Sequence, residues 1–335
     1  MKIGIVVNDI ADEKGGYTTT HLAMAATSLG HEVWYISVGD FSLQTNDHTY
    51  GHARTVPIET YETDSQFLDA LREKNNAPEA ICVEELDVLL LRNDANDDAI
   101  NRPWARIAGI NFGFLALQAG VLVLNNPYTL ARSLTKLYLQ YFPVEVRPQT
   151  LITRNQVEAL DCIESWEGLA VIKPLFGSGG RNVFLIRPSD RPNLHQMMDV
   201  ICRDGYMIVQ EYLPRAVEGD TRLFLMNGIP LEVDGKIAAL HRVPNAKMGD
   251  MRSNITAGGH SRKAEVTDDM LRLAKIIRPK LVEDGIFLAG LDIVGDKLME
   301  INVLSPGALI VAEKLEGVRF CEAVIRKLEQ QVAAK

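Results

Sequence analysis

The stretch GLDIVGDKLMEINVLSPG, residues 290–307, decides the fold of the second half of this 335-residue chain. An apolar run that ends at Val294 and an alternating run over 297–303 flank the pair Gly295-Asp296. Two such runs around a Gly-Asp pair predict a β-hairpin. From about residue 150 onward the chain keeps this character, with short strands separated by glycine-rich turns.

The predicted hairpin carries three polar side chains that can converge. Glu300 and Asn302 are two residues apart, so both leave the same face of the second strand, and Asp292 can point to that face from the first. Three oxygen donors without a thiol or an imidazole suit Mg²⁺ bridging phosphates better than Zn²⁺. The alternative is a polar hairpin that faces solvent, and these three residues alone leave both interpretations open.

Length and composition indicate a globular protein of two or three lobes. A hydrophobic fraction of 47%, a charged fraction of 24% and a net charge of −9 without a basic stripe argue against a nucleic-acid partner. No charged segment precedes the first strand, and no apolar run approaches the length of a membrane span. A cytoplasmic protein without a membrane partner is therefore expected.

The first part of the chain alternates strands and helices. Short buried strands at IGIVV, EVWYISV, DVLLLR and GVLVLN are separated by helical patterns at Thr18–Leu29 and about 104–119. Strands separated by helices predict an open α/β domain with a parallel sheet. Further helices are predicted over about 128–141 and about 308–332.

A glycine-rich loop follows Lys173 in VIKPLFGSGGRNVFLI. Glycines allow positive φ and let backbone N–H groups approach an anion closely. Because this loop joins two strands, it differs from the Walker loop and from the dinucleotide fingerprint, which both open a helix. The preferred interpretation is a hairpin flap over a triphosphate, with Lys173 as its charged anchor. The loop residues are Gly177, Ser178, Gly179 and Gly180.

The strand MIVQEYLP ends in a segment suited to a nucleoside. Its backbone can meet a purine edge, the Glu211 carboxylate can bind a ribose, and Leu213 can pack against the ring. The alternative is a strand that simply runs into a loop at Pro214. The segment consists of Gln210, Glu211, Tyr212 and Leu213.

Arginines follow at Arg222, Arg242 and Arg252, the last beside Asn254 in a polar, glycine-rich stretch over 245–260 that is typical of a mobile loop. A guanidinium binds phosphate or carboxylate in bidentate fashion. Each arginine alone could be a surface residue. Together, beside a phosphate–metal site, they would offset charge on a transferred phosphoryl group or a tetrahedral adduct.

The sequence contains no recognisable protein nucleophile. There is no GxSxG motif, and the seven histidines lack ligand spacing such as HExxH, so they are predicted to be structural or surface residues. The four cysteines lack CxxC spacing and predict neither a zinc site nor a disulfide framework. The chemistry implied is activation of a carboxylate by ATP rather than covalent catalysis by the protein. The cysteines are Cys82, Cys162, Cys202 and Cys321.

The order of these motifs resembles that of the ATP-grasp carboxylate–amine ligases. SLTKLYL, VIKPLFGSGG, QEYL, RSNITAGG and the D-x7-E-x-N hairpin occur in the order found in that family, and GIVVNDI and DVLLLRND are similar to its N-terminal half. Within the family, the chain is most similar to the prokaryotic glutathione synthetases, over roughly 1–330. The resemblance implies an N-terminal α/β domain (1–124), a linker helix with a lid subdomain (125–205) and a C-terminal ATP-grasp subdomain (206–335).

By the same resemblance, Lys136 and Lys173 would contact the phosphates of ATP. Residues 210–213 would hold the adenine and ribose, with Asp220 nearby. The substrates would be a small acid or peptide and an amine, and the protein would be a homodimer or homotetramer. The residues implied to bind Mg²⁺, or Mn²⁺ in its place, are Asp292, Glu300 and Asn302. The residues implied to face the γ-phosphate and the acyl phosphate are Arg222, Arg242, Arg252 and Asn254.

The chain departs from the family pattern near the expected substrate region. Gly307-Ala308 stand where the family commonly has Thr-Cys, Asn93 replaces a lysine and Ala95-Asn96 replace a diproline, and the flap carries Phe176-Gly177-Ser178 where aspartate and methionine are common. Synthesis of glutathione from γ-glutamylcysteine and glycine is the leading hypothesis, and a ligase for another acid and amine is the second. A nucleotide-binding regulator and a Rossmann dehydrogenase fit less well, because the metal triad suits turnover and no GxGxxG follows the first strand.

Overall fold

The computed structural model describes residues 1–73, 76–99, 101–177, 179–244 and 260–335. Predictions made for Ser178, for Arg252 and Asn254, and for the rest of the 245–259 stretch therefore lie outside the described residues.

The N-terminal domain is built around a mixed sheet. Its strands are β1 Lys2–Val7, β2 Glu32–Leu43, β3 Thr49–Thr55, β4 Glu79–Cys82, β5 Val88–Leu91 and β6 Leu122–Leu124. Its helices are α1 Thr18–Ser28, α2 Asp64–Arg72 and α3 Ala108–Gln118, with 3-10 turns at Ile10–Asp12, Val83–Glu85 and Ala105–Ile107. The strand order is β4-β3-β2-β1-β5-β6. The neighbouring strands β2, β1, β5 and β6 pair in parallel, as predicted. β3 and β4 add an antiparallel edge beside β2.

The lid subdomain is an antiparallel sheet with two helices packed against it. Its strands are β7 Thr150–Thr153, β8 Ala170–Pro174, β9 Phe184–Ile186 and β10 Met207–Glu211. Its helices are α5 Gln156–Ser165 and α6 Leu194–Arg203, joined to the sheet by a 3-10 turn at Pro188–Asn193. The strand order is β7-β10-β8-β9, so β10 lies inside this sheet. The lid sheet therefore extends beyond residue 205, where the lid subdomain was expected to end. Residues that include Ala159, Ile163, Met198 and Ile201 form its separate core.

The linker between these two units is less helical than predicted. The helix expected over about 128–141 is divided into α4 Pro127–Arg132 and a 3-10 helix over Lys136–Tyr141, followed by a 3-10 turn at Val144–Val146. Asn126 caps α4, since its side chain accepts a hydrogen bond from the backbone N–H of Tyr128.

The C-terminal subdomain is an antiparallel sheet that contains the predicted hairpin. Its strands are β11 Asp220–Met226, β12 Ile229–Pro230, β15 Ala239–Val243, β16 His260–Lys263, β17 Leu288–Val294 and β18 Lys297–Asn302, while β13 Glu232–Val233 and β14 Lys236–Ile237 form a short ribbon. Its helices are α7 Asp268–Glu283, α8 Leu309–Glu316 and α9 Phe320–Ala333, with a 3-10 turn at Pro214–Glu218. The order is β16-β15-β11-β17-β18, with β12 beside β11. The helix predicted over about 308–332 is interrupted at Gly317, which has a φ of 71°.

The C-terminal sheet is fastened to the N-terminal domain through the buried side chain of Asn125. Its Nδ2 donates to the carbonyls of Leu288 (2.9 Å) and Val303 (2.6 Å). Its Oδ1 accepts from the backbone N–H groups of Phe287 (2.7 Å) and Leu288 (3.0 Å). One side chain thus pairs backbone groups at the start of β17 and after β18. Within the described residues, none of the helices has the length and apolar character needed to cross a membrane.

Candidate active site

The predicted hairpin brings the three expected metal ligands together. In the β17–β18 pair, Asp292 lies opposite Glu300, and Gly290 lies opposite Asn302. The turn between the strands uses Gly295 in the left-handed region, with a φ of 62°. Because Asp292 and Asn302 are diagonal neighbours on the two strands, Asn302 Nδ2 reaches Asp292 Oδ2 at 3.2 Å.

Asp292 is buried and held by two arginines. Arg222 binds it in bidentate fashion, with Nε to Oδ1 at 2.7 Å and Nη2 to Oδ2 at 2.8 Å. Arg242 Nη2 approaches the same Oδ2 at 2.8 Å and also contacts Asp220. Burial alone would raise the pKa of Asp292, but Arg222 and Arg242 lower it to about 2. The carboxylate is therefore charged at any physiological pH.

Two lysines approach the same region from the linker and the lid. Lys173 Nζ donates to Gln210 Oε1 at 3.0 Å, and burial lowers the pKa of Lys173 to about 8, although the Glu300 charge opposes this shift. Lys136 Nζ donates to the carbonyl oxygen of Gly177 in the glycine loop. The two predicted phosphate anchors are thus brought next to the acidic hairpin and the flap.

The glycine loop has the backbone that was expected of it. Gly177, Gly179 and Gly180 have φ values of 111°, 68° and 73°, in the region that side-chain-bearing residues rarely adopt. Phe176, at the start of the loop, lies under the guanidinium of Arg106, which is 4.7 Å from the ring centroid. The flap therefore contacts the N-terminal domain.

An open cleft with about 1040 Å³ of empty space lies between the lid sheet and the C-terminal sheet. Its walls include most of the predicted nucleotide residues, but Gln210 is turned away, because its side chain bonds to Lys173 and to Thr150 Oγ1. Arg222 does not line this cleft, since it lies behind Asp292. The predicted residues in the cleft wall are Lys136, Lys173, Gly177, Gly179, Gly180, Glu211, Tyr212, Leu213, Asp220, Arg242, Asp292 and Glu300.

A second cavity, with about 820 Å³ of empty space, adjoins the first and reaches the N-terminal domain. Glu300, Lys136 and Lys173 line both spaces. The second cavity also has walls that were not predicted, among them Asp94 and Asn96 after the carboxyl end of β5. Burial raises the pKa of Asp94, and the charge of Glu300 adds to the effect.

The signal for Asp94 and Asn96 was present in the sequence, because ligands of open α/β sheets bind outside the carboxyl ends of the strands. Asn93, Ala95 and Ala308, which also depart from the family pattern, do not line the second cavity. Asn93 is buried against Gly109 of α3, and Ala95 is buried. Ala308, with a φ of 72°, precedes the first turn of α8.

The donor set fits a hard divalent cation. Glu300 and Asn302 line the second cavity and offer carboxylate and amide oxygens, and Asn302 turns its Nδ2 towards Asp292. No thiol or imidazole belongs to this set, which suits Mg²⁺ or Mn²⁺ rather than a softer ion. Glu300 and Asn302 thus border the second cavity, whereas Asp292 lines the larger cleft and is engaged by the two arginines.

Comparison with known proteins agrees with this architecture. Residues 1–130 match the N-terminal domain of prokaryotic glutathione synthetase, and residues 135–317 match its ATP-grasp domain. The chain belongs to the prokaryotic glutathione synthetase family. It is similar to glutathione synthetase of Gloeobacter violaceus, with 32% identity over 97% of this chain and 95% of that protein. It is 30% identical to glutathione synthetase of Escherichia coli K12, over 99% and 100% of the two chains.

Solved structures of ATP-grasp enzymes share the fold of this family member. D-cycloserine synthetase DcsG superposes with a TM-score of 0.62 at 13% identity, over 97% of this chain and 99% of that one. The ATP-grasp ligase PsnB, complexed with a minimal precursor, gives 0.60 at 17% identity, over 98% of each chain. The protein is an ATP-dependent carboxylate–amine ligase of the glutathione synthetase type that uses ATP and a divalent metal. The predicted fold and family are confirmed.

Proposed function

We propose that this ligase joins γ-glutamylcysteine and glycine to make glutathione, with ATP converted to ADP and phosphate. The relatives that carry the name glutathione synthetase match over nearly their whole length. The observation that carries the proposal is the position of Glu300, Lys136 and Lys173 where the two cavities meet. A γ-phosphate at this junction would lie next to an acid bound in the second cavity.

The larger cleft is the proposed nucleotide site. Lys136 and Lys173 would contact the phosphates, and Glu211, Tyr212 and Leu213 would hold the adenine and ribose. Gln210 would contribute indirectly, since its side chain positions Lys173 at 3.0 Å. The backbone N–H groups of the glycine loop would cover the phosphates as the flap closes.

Mg²⁺ is the proposed ion, with Mn²⁺ as a substitute, held by Glu300 and Asn302 and by Asp292 beside them. When bound, this ion neutralises charge on the phosphate oxygens. Arg242, which borders the cleft, would face the transferred phosphoryl group together with Arg252 and Asn254.

Arg222 is proposed to act through Asp292. It approaches Gly307 O at 3.4 Å as well as the carboxylate, which places it behind the hairpin. It would therefore hold the hairpin in register and would reach the phosphates only if Asp292 released it.

The reaction would proceed through an acyl phosphate. A carboxylate oxygen of γ-glutamylcysteine attacks the γ-phosphorus, and ADP leaves. The amine of glycine then attacks the acyl carbon, and phosphate leaves as the amide forms. Lys136 and Arg242 would offset negative charge during both steps, and the flap would exclude water so that the acyl phosphate meets the amine.

Phosphate release from ATP and Mg²⁺ tests the proposal. The two substrates are supplied together and then separately, and the product is identified by mass spectrometry. Release that requires both substrates and yields glutathione is the expected result. Glu300→Ala serves as the comparison, because it should bind substrates in a folded protein but release little phosphate.

No release with this pair, combined with release from another acid and amine in a panel, would overturn the glutathione assignment. It would favour the second candidate, a ligase of different substrate specificity. The observation behind that candidate is Asn96, which lines the second cavity within the stretch that departs from the family pattern. We further propose a cytoplasmic location. We also propose that the protein is a homodimer or homotetramer, and light scattering of the purified protein would test this oligomeric state.

A further inference from the structure

Three side chains able to bind a metal ion lie at the outer edge of the N-terminal sheet. His48 precedes β3, Cys82 is the last residue of β4, and Glu84 lies in the 3-10 turn that follows. Their ligand atoms all lie within 4.8 Å of one another. β4 is the edge strand opposite β6, so this cluster lies across the sheet from the second cavity.

The fold brings these residues together although they are far apart in sequence. β3 and β4 pair antiparallel with Tyr50 opposite Cys82, so the residue that begins β3 lies beside the end of β4. A tight turn positions His48, since its carbonyl oxygen accepts a hydrogen bond from Gln44 N at 3.0 Å. The spacing of cysteines and histidines in the sequence does not reveal this cluster, because strand pairing rather than local sequence brings the three side chains together.

The Glu84 carboxylate is the centre of the cluster. Its Oε2 accepts hydrogen bonds from His48 Nδ1 and from Cys82 Sγ, the latter at 3.4 Å. Its Oε1 accepts from Thr49 N at 2.9 Å, which fixes the orientation of the carboxylate. Such an outer hydrogen bond is what usually holds a metal-binding carboxylate in place.

The separation between Cys82 and Glu84 agrees with a tetrahedral zinc site, and His48 would have to move away from Glu84 to join it. With Zn–S near 2.3 Å and Zn–O near 2.1 Å, a tetrahedral ion separates sulfur and oxygen by about 3.5 Å. The separation between Cys82 Sγ and Glu84 Oε2 is 3.4 Å. The His48 ring is more than half exposed and can adjust to the bond length that an ion requires.

We propose that His48, Cys82 and Glu84 bind a borderline-soft divalent cation, Zn²⁺ in the first place, with water as the fourth ligand. A thiolate and an imidazole select such an ion over the Mg²⁺ of the catalytic cleft. Binding releases the thiol proton to solvent and involves no change of oxidation state. The ion would tie the β2–β3 turn to the end of β4, and this site does not depend on the proposed function.

Cobalt substitution tests the proposal with a signal that only a cysteine ligand gives. The full chain is reduced, stripped with a chelator and titrated with Co²⁺, and the thiolate-to-cobalt charge-transfer band is followed in the near ultraviolet. The matched control is Cys162→Ser, since Cys162 on α5 belongs to no such cluster among the described residues. The wild type and this control should show the band, and Zn²⁺ should abolish it.

The variants at the site should behave differently. Cys82→Ser should lose the band, and His48→Gln and Glu84→Gln should each weaken Co²⁺ binding by about tenfold or more. Zn²⁺ should raise the apparent Tm of the wild type more than that of His48→Gln, a substitution at a ring that is more than half exposed. A wild type without the band, or a band that persists in Cys82→Ser, would overturn the proposal.

Discussion

Asp292 and Glu300 are opposite each other in one hairpin, yet their surroundings give them different tasks. Asp292 is 3% exposed and balances the buried guanidinium of Arg242 and the largely buried one of Arg222. Glu300 borders both cavities beside Lys173. We therefore propose that Asp292 contributes to the fold as well as to the site, whereas Glu300 contributes mainly to the chemistry.

Asp292→Asn and Glu300→Gln should separate these tasks. Removing one partner of a buried ion pair costs about 3–5 kcal/mol, so Asp292→Asn should lower the apparent Tm by several degrees. Glu300→Gln should leave the apparent Tm nearly unchanged and reduce kcat by about 100-fold or more. Thermal unfolding and phosphate release measure the two effects. Equal loss of stability in both variants would contradict the assignment.

The shared face of Glu300 and Asn302 could be predicted from sequence because strand periodicity alone places both side chains there. The orientation of Arg222 could not be predicted. Its partner is decided by the pairing of β11 with β17, which sets Arg222 directly opposite Asp292. The orientation of the Gln210 side chain could not be predicted either, since alternation along β10 turns it towards Lys173 while Glu211 faces the other way.

At the level of elements, the glycine loop is joined to two other parts of the molecule. Lys136 of the linker donates to the Gly177 carbonyl, and Arg106 of the N-terminal domain stacks on Phe176. Phe176 is one of the positions at which the chain departs from the family pattern. The aromatic ring thus provides a contact that holds the flap near the cleft.

Phe176→Ala should loosen the flap. A partly exposed cation–π contact contributes about 0.5–1 kcal/mol, which corresponds to about a two- to fivefold rise in KM for ATP. The ratio of phosphate released to amide formed should rise as well, because water reaches the acyl phosphate more often. Phe176→Tyr keeps the ring and should resemble the wild type. An unchanged ratio in Phe176→Ala would show that the contact does not control closure.

Elements with a strong repeating pattern were predicted well, and those defined by tertiary pairing were not. The parallel strands are continuous apolar runs, whereas β3 contains Gly51 and His52 and becomes a strand only by pairing with β2 and β4. α2 could have been found, since Thr63 and Gln66 form a capping box at its start. The helix predicted over about 128–141 is divided because Thr135 caps a new 3-10 turn.

At the scale of the whole molecule, stability depends on pH through Glu13, whose carboxyl group is buried in the N-terminal domain. It is 8% exposed, and its Oε2 has no hydrogen-bond partner among the described residues. Burial raises the pKa of Glu13 from 4.5 to about 7, although Arg92 and Arg72 oppose the shift. The charged and polar groups that face it are Arg92, Arg72, Thr20, Asp12 and Tyr35.

This shift predicts that the folded protein loses stability as pH rises from 4.5 to 7. In that range the folded state keeps a proton that the unfolded state has released, so the free energy of unfolding falls by about 3 kcal/mol. Glu13→Gln cannot ionise, and its apparent Tm should rise relative to the wild type by a few degrees between pH 5 and pH 8. The exposed Glu62→Gln should follow the wild type. If the apparent Tm of Glu13→Gln and that of the wild type changed with pH in parallel, the raised pKa of Glu13 would be contradicted.

The junction between the N-terminal domain and the C-terminal sheet depends on Asn125, which satisfies buried backbone groups at three residues of the sheet. Asn125→Ala would leave these groups without partners, at about 1–3 kcal/mol for each group that water cannot reach. Its apparent Tm should fall by several degrees. Asn126→Ala, which removes only the cap of α4, should cost about 1 kcal/mol.

Asn125→Ala should also weaken the binding of the substrates. Val303, which Asn125 binds, lines the second cavity, so a loosened junction should raise KM for the acid and amine more than KM for ATP. Steady-state kinetics with each substrate varied in turn measures this difference, with Asn126→Ala as the control that keeps the junction. If Asn125→Ala lowered the apparent Tm but raised all three KM values alike, the side chain would stabilise the fold without shaping the second cavity.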